Sequence, residues 1–159
     1  MGNIRAREEC ITSTHFTDAI RKEIRRSVQK IRVVTDNKFC AGYFTFATGD
    51  GVILCGSAMQ TDNLDVIERC RLESEKFVLS LAAHSVSNMW QYVLGAIKFP
   101  YQSEVGLILS FAGNSTPETD LAMVLASAVA LDFLAVKAAR ETLSEHNVQK
   151  LFESVLTRK

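Results

Sequence analysis

The chain has 159 residues, 47% of them hydrophobic and 23% charged, and its eighteen basic and eighteen acidic residues cancel. This composition is typical of one folded domain and unlike that of a disordered chain, and the balanced charge argues against a dedicated nucleic-acid binder. The N-terminus lacks the apolar core of a signal peptide, and no apolar run is long enough for a membrane span. We therefore expect a cytoplasmic protein that contacts neither nucleic acid nor a membrane.

Residues 1–11 are predicted to be an N-terminal extension, and residues 12–159 a single domain. The first helix should follow Thr12-Ser13-Thr14, whose hydroxyl groups can accept the free amide hydrogens of a first helical turn. Apolar residues then recur every three or four positions, which predicts one face turned toward the core. These residues are Phe16, Ala19, Ile20, Ile24, Val28 and Ile31.

A β-hairpin is predicted next. Residues 39–46 are rich in aromatic side chains, and residues 52–55 can return as the partner strand. Gly49-Asp50-Gly51 between them is typical of a tight turn, because glycine adopts positive φ angles readily.

A second helix is predicted after Asp62 or Asn63, either of which can cap it. For Asp62, this structural role at the helix start is favoured over ligand binding. The core-facing stripe of this helix is predicted to contain Val66, Ile67, Cys70, Ser74, Phe77, Val78 and Leu81.

The second half of the chain combines strands and helices. Residues 90–99 are apolar and fit either type of element, whereas residues 105–111 predict a buried strand. Thr116-Pro117-Glu118 is a helix start signal, and residues 121–139 then predict one helix that is apolar on nearly all sides. We expect a sheet beneath that helix and another subunit above it, with a last helix starting near Ser144.

The order of these elements predicts an α+β fold. We expect a three-layer α-β-α arrangement, similar to that of profilin, with helices on both faces of a mostly antiparallel sheet.

Several spaced features resemble the haem-degrading-domain family that includes GlcG-like and HbpS-like proteins, in particular its uncharacterised eukaryotic and bacterial branch. The similarity spans residues 12–136 and is carried by an early Phe-x-x-Ala, by Gly-Ser followed by Asp-Asn, and by a strand before an acidic helix start. The matching positions are Phe16 to Ala19, Gly56-Ser57, Asp62-Asn63, Ile67, Arg69, Phe77, Ser80, Val105 to Gly113, Glu118 and Asp120.

The resemblance implies a self-associating protein and, in the family at large, haem chemistry. Two family histidines are replaced here, by Val93 in a Val-Leu-Gly-Ala stretch and by Leu121. Histidine is a common haem ligand, so we predict no cofactor, with haem or a corrinoid as the alternative, held by His84 or Cys55.

Four residues are candidates for a polar ligand site: Ser57, Asp62, Arg69 and Ser80. Arg69 is the strongest of them, because a guanidinium can bind a carboxylate or phosphate with two parallel hydrogen bonds. The competing interpretation of Arg69 is a salt bridge, either between subunits or with Glu73 one helical turn on. The sequence predicts no catalytic residues and no metal site.

Three functions stay open. The first is a non-catalytic, self-associating binding or assembly module that forms homo-oligomers, with contacts from the apolar helix and from aromatic residues near Trp90. The second is a protein that binds or degrades haem or a corrinoid. The third is a roadblock-like scaffold for a protein partner such as a small GTPase.

Overall fold

Every strand pairing in the described part of the chain is antiparallel, and the strands form one sheet in the order β2-β1-β5-β4-β3. The computed structural model describes residues 14–34, 42–59, 61–83, 90–101, 103–113, 116–143 and 148–156. Its elements in chain order are α1 (Thr14–Val34), β1 (Gly42–Thr48), β2 (Ile53–Met59), α2 (Leu64–Ala82), β3 (Gln91–Val93), β4 (Ala96–Tyr101), β5 (Ser103–Ala112), α3 (Pro117–Ala130), α4 (Val136–Leu143) and α5 (Gln149–Leu156). The predicted α+β fold class is confirmed.

The two faces of the sheet carry two separate apolar clusters. The larger cluster joins the sheet to α1, α3, α4 and α5, and it includes Phe44 and Phe46 of β1. The smaller cluster joins the opposite face to α2, and it includes Ala47 of the same strand. Because successive side chains of a strand point to opposite faces, one strand serves both clusters. Helices therefore lie on both faces of the sheet, as predicted.

The predicted β1–β2 turn is present. Gly51 has a φ of 96°, a conformation that glycine adopts without steric cost, and its amide donates to the Thr48 carbonyl at 2.9 Å. β2 is longer than the sequence predicted, because it continues through Gly56 and Ser57 to Met59.

Helix α1 buries the stripe that its sequence predicts: Ile20, Ile24, Val28 and Ile31 are at most 1% exposed. The side chain of Phe16 and the expected capping residues Thr12 and Ser13 lie outside the described part of the molecule, as does the predicted extension. The ambiguous segment 90–99 contributes two strands, β3 and β4, joined by a turn at Leu94-Gly95.

The prediction of one helix over residues 121–139 is wrong. α3 ends at Ala130, and Asp132 has a φ of 63°, a left-handed conformation that Asp and Asn tolerate better than most residues. The chain reverses there before α4 begins at Val136.

The expectation that another subunit covers α3 is also wrong. Residues Leu121 to Ala126 are fully buried within the single chain. The sheet lies beneath α3, and α1, α4 and α5 of the same chain pack around it. One helix–helix contact is polar: the hydroxyl groups of Ser27 on α1 and Ser127 on α3 lie 2.7 Å apart.

The last predicted helix corresponds to α5, which buries Phe152 and Val155. The predicted start at Ser144 lies outside the described residues. Within those residues, no helix combines the length and apolarity that a bilayer crossing requires.

Candidate functional site

The four predicted ligand residues lie on β2, on helix α2 and in the connection between them. The helix begins after Asn63, whose side-chain oxygen accepts hydrogen bonds from the amides of Asp65 and Val66 at 3.0 and 3.3 Å. The cap is therefore Asn63, one of the two residues that the sequence allowed, and the capping interpretation of Asp62 is wrong. Asp62 is exposed one residue before the cap.

Ser57 lies on the opposite face of the sheet from α2. It pairs with Phe44 across the β1–β2 ladder, and directly paired residues point to the same face. Phe44 belongs to the cluster of α1 and α3, so Ser57 faces that side as well. Its hydroxyl donates to the carbonyl of its own neighbour, Ala58, at 3.3 Å.

Arg69 and Ser80 are both exposed on α2. Their eleven-residue separation puts them on one side of the helix but about 16 Å apart along its axis. That distance exceeds the reach of one small anion. The structure therefore does not bring the four candidates into one pocket, and ligand binding by each of them stays a prediction.

The side of α2 that carries Arg69 and Ser80 faces the β3–β4 end of the sheet. Phe77, on the same side, packs so closely on the turn before β4 that a Cβ at Gly95 would lie 2.5 Å from its ring. Among the described residues, the ion pairs of α2 are made by Arg71 with Glu68 and Glu75, and not by the expected pair of Arg69 with Glu73.

Beside it, on the exposed surface of α2, lies a row that we call the leucine flank. It carries Leu64, Leu72 and Leu79, which are 78%, 54% and 64% exposed. Leu79 lies beside the β1–β2 turn, with its Cδ2 atom 4.0 Å from the place of a Cβ at Gly51. A seven- or eight-residue spacing returns a helical side chain to nearly the same side, so the sequence already held the signal for this row. We missed it because only the buried stripe was considered.

Tyr43 connects the leucine flank to β2. Its ring leans across the neighbouring strand, where a Cβ at Gly56 would lie 2.7 Å from the tyrosine oxygen. Burial raises the pKa of Tyr43, and the negative charge of Glu75 on α2 raises it further, while Arg71 opposes them. The tyrosine ring thus covers the middle of β2 on the face of the sheet that carries α2.

The charged residues of the flank form one compact group. Arg71 binds Glu68 at 2.6 Å and Glu75 at 3.0 Å, and the hydrogen bond from Arg71 lowers the pKa of Glu68. These two bonds and the nearby negative charge raise the pKa of Arg71, so the guanidinium stays charged. The flank is thus an apolar row with one ion-paired group near its centre, in which two carboxylates and one guanidinium leave a net negative charge.

The described residues contain no group of three or more His, Cys, Asp or Glu side chains arranged to hold a metal ion. Val93 and Leu121, the positions at which the predicted resemblance would place histidines, pack into the two different clusters on opposite faces of the sheet. His84 lies outside the described residues. Cys55 is half-buried, and burial raises the pKa of its thiol, which disfavours the thiolate that binds metals.

No family model, curated protein or solved structure matches this chain. Similarity to the GlcG-like and HbpS-like proteins accordingly stays a prediction.

Proposed function

We propose that this protein is a self-associating assembly module that acts without a catalytic site of its own. One observation carries the proposal: among the described residues, most exposed large hydrophobic side chains belong to one stretch of the chain, residues 52–79. Six large hydrophobic side chains are exposed in the described part of the chain, and all but Val33 belong to β2, to the turn before it or to α2. These five are Val52, Ile53, Leu64, Leu72 and Leu79.

Such a concentration favours protein association. Single exposed hydrophobic residues are ordinary on protein surfaces, but a contiguous group marks a contact surface, because burying it removes apolar area from water. α3, in the larger cluster, offers little apolar surface for contact with another chain, because it is already enclosed by its own chain. Assembly through α2 and β2 replaces the contacts that the sequence had suggested for α3.

The edge position of β2 supports the same function. β2 has a strand neighbour on one side only among the described residues, so its outer row of amide and carbonyl groups has no ladder partner there. Proteins commonly protect such edges with charged residues, proline or β-bulges. The strand sequence Ile-Leu-Cys-Gly-Ser-Ala-Met contains no charged residue or proline, and its pairing with β1 has one irregularity, near Leu54.

Native mass spectrometry of the full chain tests this proposal. We expect a closed oligomer, seen as a discrete multiple of the chain mass, whose fraction grows with concentration. A bound small molecule would add to that mass and would favour the haem or corrinoid alternative. A chain that stays monomeric across the accessible concentration range would contradict self-association.

A further inference from the structure

We propose that β2 binds an extended acidic segment of a partner protein as an added strand of the sheet, with the carboxylates of that segment facing α1. The inference goes beyond the proposed self-association, because it concerns a partner of a different chemistry. Its central observation is that an uncharged strand at the edge of the sheet lies beside a strongly basic helix.

The backbone of β2 favours an extended partner. β1 pairs with the inner side of β2, and no strand in the described ranges pairs with its outer side. The ladder with β1 is regular from Cys55 to Met59, past the irregularity near Leu54. An extended peptide can form main-chain hydrogen bonds with the outer amide and carbonyl groups of such a stretch, whereas a helix has already used its own.

Helix α1 lies beside this edge on one face of the sheet. Cys55 pairs with Phe46, which belongs to the cluster of α1, and α1 also contacts β2 directly. Burial is the main cause that raises the pKa of the Cys55 thiol, while Arg21 of α1 lowers it and Asp18 raises it. The charges of this part of α1 therefore act on the middle of the edge strand.

The balance of these charges is positive. α1 contains six basic and two acidic residues, and both acidic residues already bind an arginine of the same helix. Asp18 binds Arg21 at 2.8 Å, and Glu23 binds Arg26 at 2.7 Å. Arg25 lies one helical turn after Arg21 on the same side of α1, is exposed, and forms no ion pair with another described residue. Charge complementarity thus favours acidic side chains on the face of the added strand that meets α1.

The other face of the edge favours different side chains. Gly56 points to the face of α2, and the ring of Tyr43 lies over it. The charges of Glu75, Arg71 and Glu68 act on this tyrosine, and together they are negative. A carboxylate would be repelled there, whereas a small aliphatic side chain can pack on the ring. Because the side chains of a strand alternate between faces, we expect a segment in which acidic and aliphatic residues alternate.

The first test uses a fluorescently labelled synthetic peptide of eight residues in which Glu and Val alternate. The matched probe has Lys in place of each Glu. Fluorescence anisotropy with the full chain should show that the Glu peptide binds about tenfold more tightly, with a difference that decreases as salt is added. Equal affinities of the two peptides, or no binding of the Glu peptide, would overturn the proposal.

A second test reverses one charge of α1. Arg25→Glu should weaken binding of the Glu peptide about tenfold and strengthen binding of the Lys peptide, because the carboxylate repels one and attracts the other. Lys137→Glu makes the same change of charge at an exposed residue of α4 and is the matched control. Both positions are exposed, so both variants should keep the circular dichroism spectrum of the wild type. Equal losses of affinity in the two variants would show that only the total charge matters and would overturn the role of α1.

A third test addresses the pairing of the backbones. Only alternate amides of an added strand point toward the sheet, and the others point away. N-methylation of the Glu residues and N-methylation of the Val residues should therefore differ, with one peptide losing its binding and the other keeping it. Equal effects of the two methylations would overturn the added strand.

Sedimentation velocity of the full chain separates this inference from the proposed function. A chain that stays monomeric and binds the Glu peptide would support the added strand and contradict self-association. An oligomer that binds no Glu peptide would overturn the added strand and leave self-association standing.

Discussion

At the scale of single residues, hydrogen bonds among three buried side chains hold α2 against the sheet. Ser74 of α2 donates to Thr45 of β1 at 2.9 Å, its oxygen lies 2.5 Å from that of Ser110 on β5, and Ser110 donates to the Ser74 carbonyl at 2.8 Å. All three side chains are fully buried. The group fixes the helix over β1 and β5, and thereby sets which side of α2 faces β2.

Replacing Ser74 should be costly for this reason. Ser74→Ala removes the hydrogen bond to Thr45 and the contact with the Ser110 hydroxyl, while Ser110 keeps its bond to the carbonyl of residue 74. We expect a loss of about 1–3 kcal/mol in the free energy of unfolding, because the buried Thr45 hydroxyl loses this donor. Thermal denaturation measures this as a decrease in Tm of about 2–4 °C for each kcal/mol at this chain length.

Ser80→Ala is the matched control. It makes the same chemical change on the same helix at an exposed position, so the gain in helix propensity is shared and the buried hydrogen bonds alone differ. Equal Tm values for the two variants would show that the hydroxyl group contributes nothing to stability.

At the scale of secondary-structure elements, a bidentate ion pair joins helices α4 and α5. Arg140 binds the two carboxylate oxygens of Glu153 at 2.7 and 2.9 Å. The hydrogen bond from Arg140 lowers the pKa of Glu153 below its ordinary value of 4.5. Both side chains are about half exposed, so solvent screens the pair and its contribution to stability should be small.

The contribution of this ion pair to the free energy of unfolding should depend on pH. Because the folded state holds the Glu153 proton more weakly than the unfolded chain does, the stabilisation is present above pH 4.5 and lost as the pH falls through the lowered pKa. We expect Arg140→Gln to lower Tm slightly at neutral pH and to have the same Tm as the wild type in acid.

Thermal scans of both proteins from neutral to acid pH measure this difference. Lys137→Gln, an exposed change of the same charge on the same helix, should leave no pH-dependent gap. A Tm difference for Arg140→Gln that does not change with pH would contradict the role assigned to Glu153.

The two apolar clusters share one sheet, so the whole molecule should unfold as a unit. Phe152 of α5 is fully buried in the larger cluster, and Phe152→Ala should cost about 3–5 kcal/mol through lost burial and the cavity left behind. The smaller cluster should lose its structure at the same temperature, because its strands are those of the larger one.

Two probes measure this coupling. Fluorescence of Trp90, the only tryptophan, reports on the larger cluster, and circular dichroism reports on all helices. Their transitions should coincide in the wild type and move together in Phe152→Ala, while Val33→Ala on the surface should move neither. Separate transitions would show that α2 and its cluster unfold independently.

Local patterns determined most of the elements. The three-to-four spacing of α1, the glycine turn between β1 and β2, and the Thr-Pro-Glu start of α3 depend on backbone sterics and on periodicity, which are properties of short segments. The sequence could not distinguish Asp62 from Asn63 as the cap, since both side chains can accept amide hydrogens of a first helical turn. In the structure the helix begins at Leu64, which makes Asn63 the cap.

The sequence by itself therefore determined the α+β class and most element types, because these follow from residue spacing. It left residues 90–99 open and did not predict the break between α3 and α4. Only the tertiary structure decided that Ser57 faces away from Arg69, since the face of an edge strand depends on its register with β1. Only packing decided that α3 is enclosed by α4 and α5, because an apolar helix surface is equally well buried by its own chain or by another. The same packing left Leu64, Leu72 and Leu79 exposed, and so moved the predicted assembly surface from α3 to α2.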